Sequence, residues 1–420
     1  MGWLTNVPMR PTFVNRRALT MKKARNTGSI VPMRLRQLRL ARGLSLEGLA
    51  AAMGGLVTKQ ALSKYEGGKA QPSLRVLTTL ARALRAKTLE LYRPPDVQVE
   101  VLAFRKKTQL GKKERERVEN LVTRMLEDRA RLQDLIGQEG EMDIPVKAMP
   151  VRTLVAVEAM ADELRKRWNL GSDPVAQMAD VLENHGVHVA EIDAGEHFDG
   201  LAAVARDDDG KVRAAAVVSR RGLAAARQRL NLAHELGHLV LKPGKAVDEE
   251  KAAFRFGAAF LAPASMLRRE VGTRRSTIGL DELLLLKRRY GISLQALVHR
   301  LHDLGVISDL HARQWWRTIN TQGWKKVEPE ETPCEEPQWL RRTTLRAFSE
   351  GLLTAGEAEA LLGERVEEHA SASLVQRRAF MRLPIEERRR LLVQQADTMT
   401  GYYQRDSGWR EFAAAEPGDE

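Results

Sequence analysis

Two histidines four residues apart, His234 and His238, enclose Glu235 in the run His234-Glu235-Leu236-Gly237-His238. The surrounding stretch, 225–241, reads as a helix, with Leu230, Leu232, Leu239 and Leu241 supplying its apolar positions. On a helix, residues i and i+4 share a face. Two neutral imidazole nitrogens can therefore meet one tetrahedral cation at about 2.0–2.1 Å. Glu235 cannot easily join both histidines on the same ion. It can instead take a proton from a water at that ion, as metal-assisted hydrolysis requires. Gly237 is costly inside a helix and implies close approach of another backbone.

A catalytic zinc needs three protein ligands and one open position. Asp248, Glu249 and Glu250 open the next predicted helix, beyond a Pro243-Gly244 turn. Two antiparallel helices would bring these carboxylates over the histidine face. Glu250 is the preferred third ligand and Glu249 the alternative, so one Zn2+ per chain is expected. Spacing assigns no oxyanion partner, for which His185, His188, His197 and Tyr290 are candidates.

The elements that must position these residues can be read from pattern. Segments 156–168 and 174–184 are predicted helices. Strands are expected at 187–192, 202–205 and 212–219, the last two joined by the turn Asp207-Asp208-Asp209-Gly210. Helices follow at 249–261, 281–290, 294–304 and 309–320. Upstream, Val97, Val99, Val101 and Phe104 suggest one short strand. Residues 112–136 form a long charged helix with a narrow apolar stripe, read as a connector, with a dimerising coil as the alternative.

Residues 30–93 read as a compact helical bundle. Ser45, Thr58 and Ser73 are helix N-caps, and Gly43, Gly54-Gly55 and Gly67-Gly68 are stops. The segments Leu35-Arg36-Gln37-Leu38-Arg39, Leu44 to Ala50 and Thr58 to Lys69 resemble the Xre/Cro-type helix-turn-helix. That resemblance implies that the helix starting near Thr58 enters the major groove. Thr58, Lys59, Gln60, Ser63 and Lys64 would then reach base edges; Gln60 suits adenine, and Lys59 or Lys64 guanine or phosphate. Arg36, Gln37, Arg39 and Arg42 would meet the DNA backbone. Such domains read paired half-sites, so a homodimer on a double-stranded DNA operator is expected.

The segment Arg227 to Leu241 resembles the signature of the ImmA/IrrE metallopeptidases. Glu250 to Pro263 is similar to the family's following segment, with Glu250 at the ligand glutamate and Phe254 where the family has Asn. Phe198-Asp199-Gly200-Leu201 resembles a further family segment. The resemblance covers roughly 150–325. It implies a mainly α chain with a small α+β zincin-like metallopeptidase domain behind an N-terminal all-α helix-turn-helix bundle. It also implies cleavage of a partner repressor. The alternative is a non-proteolytic regulator or antitoxin, paired with a toxin, whose metal domain senses or binds.

The expected boundaries are a basic flexible arm 1–29, the helix-turn-helix 30–93, a connector and linker 94–150, and the metallopeptidase-like domain 151–270. A helical extension 271–327, a linker with short helices 328–370 and a basic amphipathic tail 371–420 with a disordered end complete the chain. The 420 residues carry a net charge of +13, and no Asp or Glu precedes Glu47. This suits a polyanionic partner. A single cysteine, Cys334, excludes an internal disulfide and a cysteine-based zinc cluster. No apolar run of membrane-spanning length and no signal-peptide core are present. A cytoplasmic, nucleoid-associated protein without a membrane partner is expected.

Overall fold

The computed structural model describes residues 30–106, 110–137, 143–366, 380–381 and 383–405. The expected basic arm 1–29, residues 371–379 of the tail and the end 406–420 lie outside the described residues. The chain divides into two compact units, Met1–Pro94 and Pro95–Glu420.

The first unit is all helical: α1 (Ile30–Ala41), α2 (Leu46–Ala52), α3 (Lys59–Glu66), α4 (Leu74–Ala83) and a closing 3-10 turn, Thr88–Tyr92. The predicted caps are in place. Ser45 accepts from the Gly48 amide, Thr58 from Ala61 and Ser73 from Val76, each satisfying an amide that the helix leaves open. Gly54 and Gly55 both take positive φ, 66° and 74°, and turn the chain from α2 towards α3. The core is leucine-built, from Leu35, Leu49, Leu62, Leu77, Leu80 and Leu84.

The second unit is built on a four-stranded sheet. Its strands are β1 (Gln98–Lys106), β3 (Val187–Ile192), β4 (Phe198–Arg206) and β5 (Val212–Arg220), in spatial order β1-β4-β5-β3. β4 pairs antiparallel with both β1 and β5, and β5 runs parallel to β3. The predicted hairpin is present. Asp207 Oδ1 accepts from the Asp209 and Lys211 amides in the β4–β5 turn. β4 starts four residues earlier than the sequence suggests, because Phe198 to Leu201 are buried and pair with β1.

Helices cover both faces of the sheet. Val118, Val122 and Leu126 of α5 (Lys112–Leu135) pack with Leu201, Ala203, Ala216 and Val218 on one face. The other face presents Ala202, Val204, Ala215 and Val217 to α8 (Ala225–Val240) and α9 (Glu249–Leu261). The apolar stripe of α5 is thus consumed inside the chain. It is a layer of this unit, neither a connector nor a dimerising seam.

Further elements are α6 (Ala156–Arg167), α7 (Met178–Asn184), α10 (Ala264–Val271), α11 (Leu280–Tyr290), α12 (Leu294–Asp303), α13 (Asp309–Thr321), α14 (Trp339–Ser349), α15 (Ala355–Leu362) and α16 (Ile385–Arg405). Pattern does not announce α10. It also misses the short parallel pair β2 (Met149–Val151) and β6 (Leu241–Pro243), which ties the end of α8 to the chain before α6. Segment 328–337 is no free linker. Glu328 accepts from Lys287 Nζ at 2.6 Å and from the Leu294 amide, while Glu335, fully buried at its side chain, pairs with Arg229 of α8 at 2.8 Å.

A polar cluster lies between α5, β3, α7 and α14. The Arg129 guanidinium sits 3.9 Å above the Trp339 ring and donates to the Glu183 carbonyl. The Glu183 carboxylate accepts the Gln338 and Trp339 amides. Burial, with the Arg129 charge adding to it, pushes His188 down to about 3.

Candidate metal centre and nucleic-acid face

The candidate metal centre lies where α8 and α9 cross. Two glycines, one on each helix, permit that crossing. A Cβ on Gly237 would lie 3.1 Å from the Ala253 Cα, and one on Gly257 would lie 2.9 Å from the His234 amide nitrogen. The close approach expected at Gly237 is therefore an approach by α9. Gly257 is its counterpart, which sequence reasoning missed; a glycine inside an otherwise apolar helix was the available signal.

With the helices this close, the first turn of α9 stands over the histidines. His234 Nε2 and His238 Nε2 are 3.1 Å apart. Glu250 Oε2 lies 3.4 Å from His234 Nε2, and Glu250 Oε1 lies 3.3 Å from His238 Nε2. A tetrahedral ion with ligands at 2.0–2.1 Å has ligand-to-ligand edges of about 3.3 Å. Each separation is close to that figure, with the two Glu250 oxygens each facing one histidine, so the three side chains form a group that could hold a metal ion. Among the described residues this is the one group of three metal-capable side chains found.

Glu249 takes a different place. Its carboxylate accepts from Lys147 Nζ at 2.8 Å and lies 3.6 Å from His238 Nδ1, on the far side of that ring from Glu250. At 3.6 Å this is an electrostatic contact with the ring, longer than a hydrogen bond. Burial opposes charge on His238, but the hydrogen bond to Glu250 and the charges of Glu235, Glu250 and Glu249 outweigh it and hold the ring above its ordinary value. Hydrogen bonds from His234 and His238 hold the Glu250 carboxyl far below the usual carboxylate range. The two shifts are two sides of one coupling: carboxylates beside His238 favour a positive charge on it, and the histidines favour the negative charge on Glu250.

Glu235 is fully buried and rests on β4 at Gly200. A Cβ at residue 200 would run into the Glu235 carboxylate, with its Cδ only 2.9 Å away. Only glycine leaves room for that side chain, which gives the Phe198-Asp199-Gly200-Leu201 segment a steric role. Phe254, one turn after Glu250, lays its ring 4.1 Å from that of His234. A phenyl ring offers no hydrogen-bond acceptor there. Beyond Phe254 opens a cavity of ≈ 1210 Å³, lined in part by Leu230, Ala258, Ala296, Trp324 and Val327.

Of the proposed oxyanion partners, three are engaged elsewhere. His185 stacks on Trp168 and bonds the Val181 carbonyl. His188 belongs to the Arg129 cluster, and Tyr290 donates to Glu270. His197, directly ahead of β4, has a buried Nδ1 with no hydrogen-bond partner among the described residues.

In the first unit, Thr58, Lys59, Gln60, Ser63 and Lys64 are all exposed along α3. Lys59 is paired with Glu47 at 2.5 Å, but both side chains are open to solvent, so the pair restrains the lysine little. Arg36 is exposed, and Gln37 accepts from Arg34. Arg39 departs from the expected backbone-contacting set. It is buried, forks onto Glu66 at 2.6 and 2.7 Å, and donates to the Leu44 carbonyl. Its charge is spent inside the bundle, where it anchors the end of α3.

Residues 182–302 match the family model described as the IrrE N-terminal-like domain, Peptidase_M78, and residues 35–91 match that of the helix-turn-helix HTH_3. No curated protein matches the chain. No helix among the described residues is long and apolar enough to cross a membrane. The first match covers α8, α9, β4 and Gly200, and the second covers the capped helices from α1 to the closing turn; the chain therefore joins an Xre-type helix-turn-helix domain to an IrrE-like Peptidase_M78 domain.

Proposed function

We propose that this chain is a DNA-binding regulator whose IrrE-like domain is a zinc endopeptidase acting on a partner repressor. The observation that carries the reading is the trio His234, His238 and Glu250 at tetrahedral spacing, with Glu235 buried beside it. These three would hold the zinc, one per chain. When bound, zinc supplies Lewis acidity towards a peptide carbonyl and acidifies water.

The residues of the chain divide the remaining work. Glu235 accepts a proton from the attacking water as the new C–O bond forms. It returns that proton to the leaving nitrogen as the C–N bond breaks. Gly200 lets its carboxylate stay buried, and Glu249, held by Lys147, adds negative charge beside His238. The cavity beyond Phe254 offers apolar room for a substrate side chain. The exposed face of α3 places the protein on an operator, as a homodimer on paired half-sites, in the nucleoid of the cytoplasm.

The test is zinc content together with cleavage of a co-encoded repressor, wild type against Glu235→Gln. Zinc retention with loss of cleavage is the expected result; equal cleavage by the variant defeats the reading. A second reading, a non-cutting metal sensor or antitoxin acting beside a toxin, draws on Phe254. The phenyl ring against His234 is apolar and supplies no carbonyl or carboxylate of its own to orient that ring. Operator binding that changes on chelation, with no repressor cut in any condition, would favour it.

A further inference from the structure

The cavity beyond Phe254 has room for more than one side chain. Its volume, ≈ 1210 Å³, exceeds the about 300–1,000 Å³ of pockets that hold drug-sized molecules. It begins beside the histidines. Phe254, whose ring lies against that of His234, shares one face of α9 with Lys251, Arg255 and Ala258, and all four line the cavity. Leu230 of α8 and Ala296 of α12 continue the apolar lining. A further wall is the segment 324–334 between α13 and α14, which adds Trp324 and Val327.

Charge sets this cavity apart from a plain apolar cleft. Seven of the side chains that line it are cationic and four are acidic. Pairing removes some of each. Lys287 is spent on Glu328, Glu330 on Arg288, and Arg227 faces Asp199 at 3.4 Å. Arg255 and Arg300 share a single carboxylate, Glu158, at 3.0 and 2.6 Å, which leaves one positive charge over. Lys251, Lys325 and Lys326 form no ion pair among the described residues, and the acidic side chains left to set against them are Asp303 and Glu331. The cavity therefore keeps two positive charges in excess. Lys325 and Lys326 stand on an anchored turn. The Trp324 amide donates to the Ile319 carbonyl and the Lys326 amide to that of Gly323, and Glu328 is fastened by Lys287 and the Leu294 amide. The turn lies outside the IrrE-like match, 182–302, so a preference set there belongs to this chain and not to the matched domain.

We propose that this cavity receives a partner segment carrying apolar side chains beside acidic ones, and that Lys325 and Lys326 set this preference. That the segment is a substrate rests on the proteolytic reading; that an acidic, apolar segment binds does not. Its apolar side chains leave water along Leu230, Phe254, Ala258 and Ala296, and its carboxylates meet the two exposed lysines. Duplex DNA, the chain's polyanionic partner in the first unit, presents no apolar side chains to such a lining. Charges at an open rim give selectivity more than affinity, and salt screens them.

The test uses the full chain, loaded with zinc. The binding probes are two fluorescein-labelled peptides with the same Leu-Leu-Phe centre, flanked on both sides by Glu in one and by Lys in the other. A third keeps the Glu flanks and replaces the centre with serines. All are read by anisotropy in a Glu235→Gln version that cannot cut them, and the version with Glu235 intact gives kcat/KM on the same peptides. Lys325→Gln with Lys326→Gln removes the charge at the turn, and Lys325→Glu with Lys326→Glu reverses it. Both positions are exposed and outside the metal centre.

At low salt the parent is expected to bind the Glu-flanked peptide about tenfold more tightly than the Lys-flanked one. The glutamine pair should bring the two together and the glutamate pair should reverse their order, with zinc content and melting temperature unchanged. The serine-centred peptide should bind about tenfold more weakly than its apolar counterpart. Cleavage should follow binding through KM, with kcat unchanged. A parent that does not distinguish the flanks, or a preference that survives both lysine variants, overturns the inference. Equal binding of the serine-centred and apolar peptides assigns the lysines to polyanions such as DNA and overturns it too. If the peptides are cut without regard to their flanks, the peptidase reading stands and the inference falls. If none is cut while binding still follows the flanks and the lysines, the proteolytic reading fails and the acidic, apolar subsite stands.

Discussion

α8 and α3 are both short helices that carry chemistry, and they are built in opposite ways. Fourteen of the sixteen residues of α8 are buried, whereas α3 buries only Leu62 of its eight. A metal centre needs its ligands fixed within a fraction of an ångström and shielded from competing water. A reading helix must instead present its side chains to a groove in another molecule. Function therefore coincides with stability in α8 and is separated from it in α3. A substitution on α8 changes the fold and the site together; most substitutions on α3 touch only recognition.

The sharpest break in this contrast comes at Glu235. Glu235→Gln is expected to lower peptide cleavage by about 10²–10⁴-fold, with zinc retained, measured by single-turnover cleavage and metal analysis. It is the position on α8 where chemistry can be lost with little loss of fold, because glutamine fills the same space against Gly200.

Arg39 tests the contrast from the other side. Its forked pair with Glu66 is buried at both ends, and removing one partner of such a pair costs about 3 kcal/mol. Arg39→Met should lower the melting temperature of the helix-turn-helix unit and weaken DNA binding only through that loss. Arg36→Gln, at an exposed position, should leave melting unchanged and reduce the salt slope of DNA binding by about 1.

Gly257→Ala should destabilise the second unit by about 1–3 kcal/mol through overpacking, and it should weaken zinc affinity in the same variant. The two changes belong together because the new methyl meets the backbone of His234 itself. Gln60→Ala on α3 should do the reverse. Operator affinity should fall by about 1–3 kcal/mol with discrimination at one base pair relaxed, while thermal stability stays within about 0.5 kcal/mol.

A further effect is a pH dependence in the second unit, outside α8. His188 is held neutral, its folded value near 3 against 6.5 when unfolded. Between those values the unfolded chain binds the extra proton, so stability falls as pH drops below 6.5. The loss approaches about 1.4 kcal/mol per pH unit. Glu183, in the same cluster, is raised by burial and works in the opposite sense. Comparing denaturation of wild type and His188→Leu from pH 6.5 to pH 4 isolates the histidine, whose contribution should vanish in the variant.

What could be read from the chain was local. The spacing of His234, Glu235 and His238 places all three on one turn of helix, and α8 forms where expected. Ser45, Thr58 and Ser73 cap the helices they were expected to cap, since the side-chain oxygen and the amide it meets are three residues apart. The choice of Glu250 over Glu249 was only a preference. The two neighbours point to opposite sides of His238, and only the crossing angle of α8 and α9 decides which one faces both histidines.

Longer-range placements were not legible. Nothing near Val97 to Phe104 indicates a partner strand a hundred residues away, so β1 could be foreseen as a strand but not as the neighbour of Gly200. The stripe of α5 could equally have served a coil between chains; it is used up on Leu201, Ala203 and Val218 because the sheet leaves that face open. Arg39 looked like any surface arginine until Glu66, 27 residues on, folded back onto it.

The sequence by itself marked the five residues from His234 to His238 as a candidate metal-binding turn and the capped helices as a helix-turn-helix unit, because both depend on separations of three or four residues along one helix. The tertiary structure alone decided that Glu250 completes the trio, that Gly200 and Gly257 make room for it, and that β1 holds the edge beside Glu235. Those contacts join residues from about ten to a hundred positions apart, and their geometry is set by how helices and sheet pack, not by any pattern within one element.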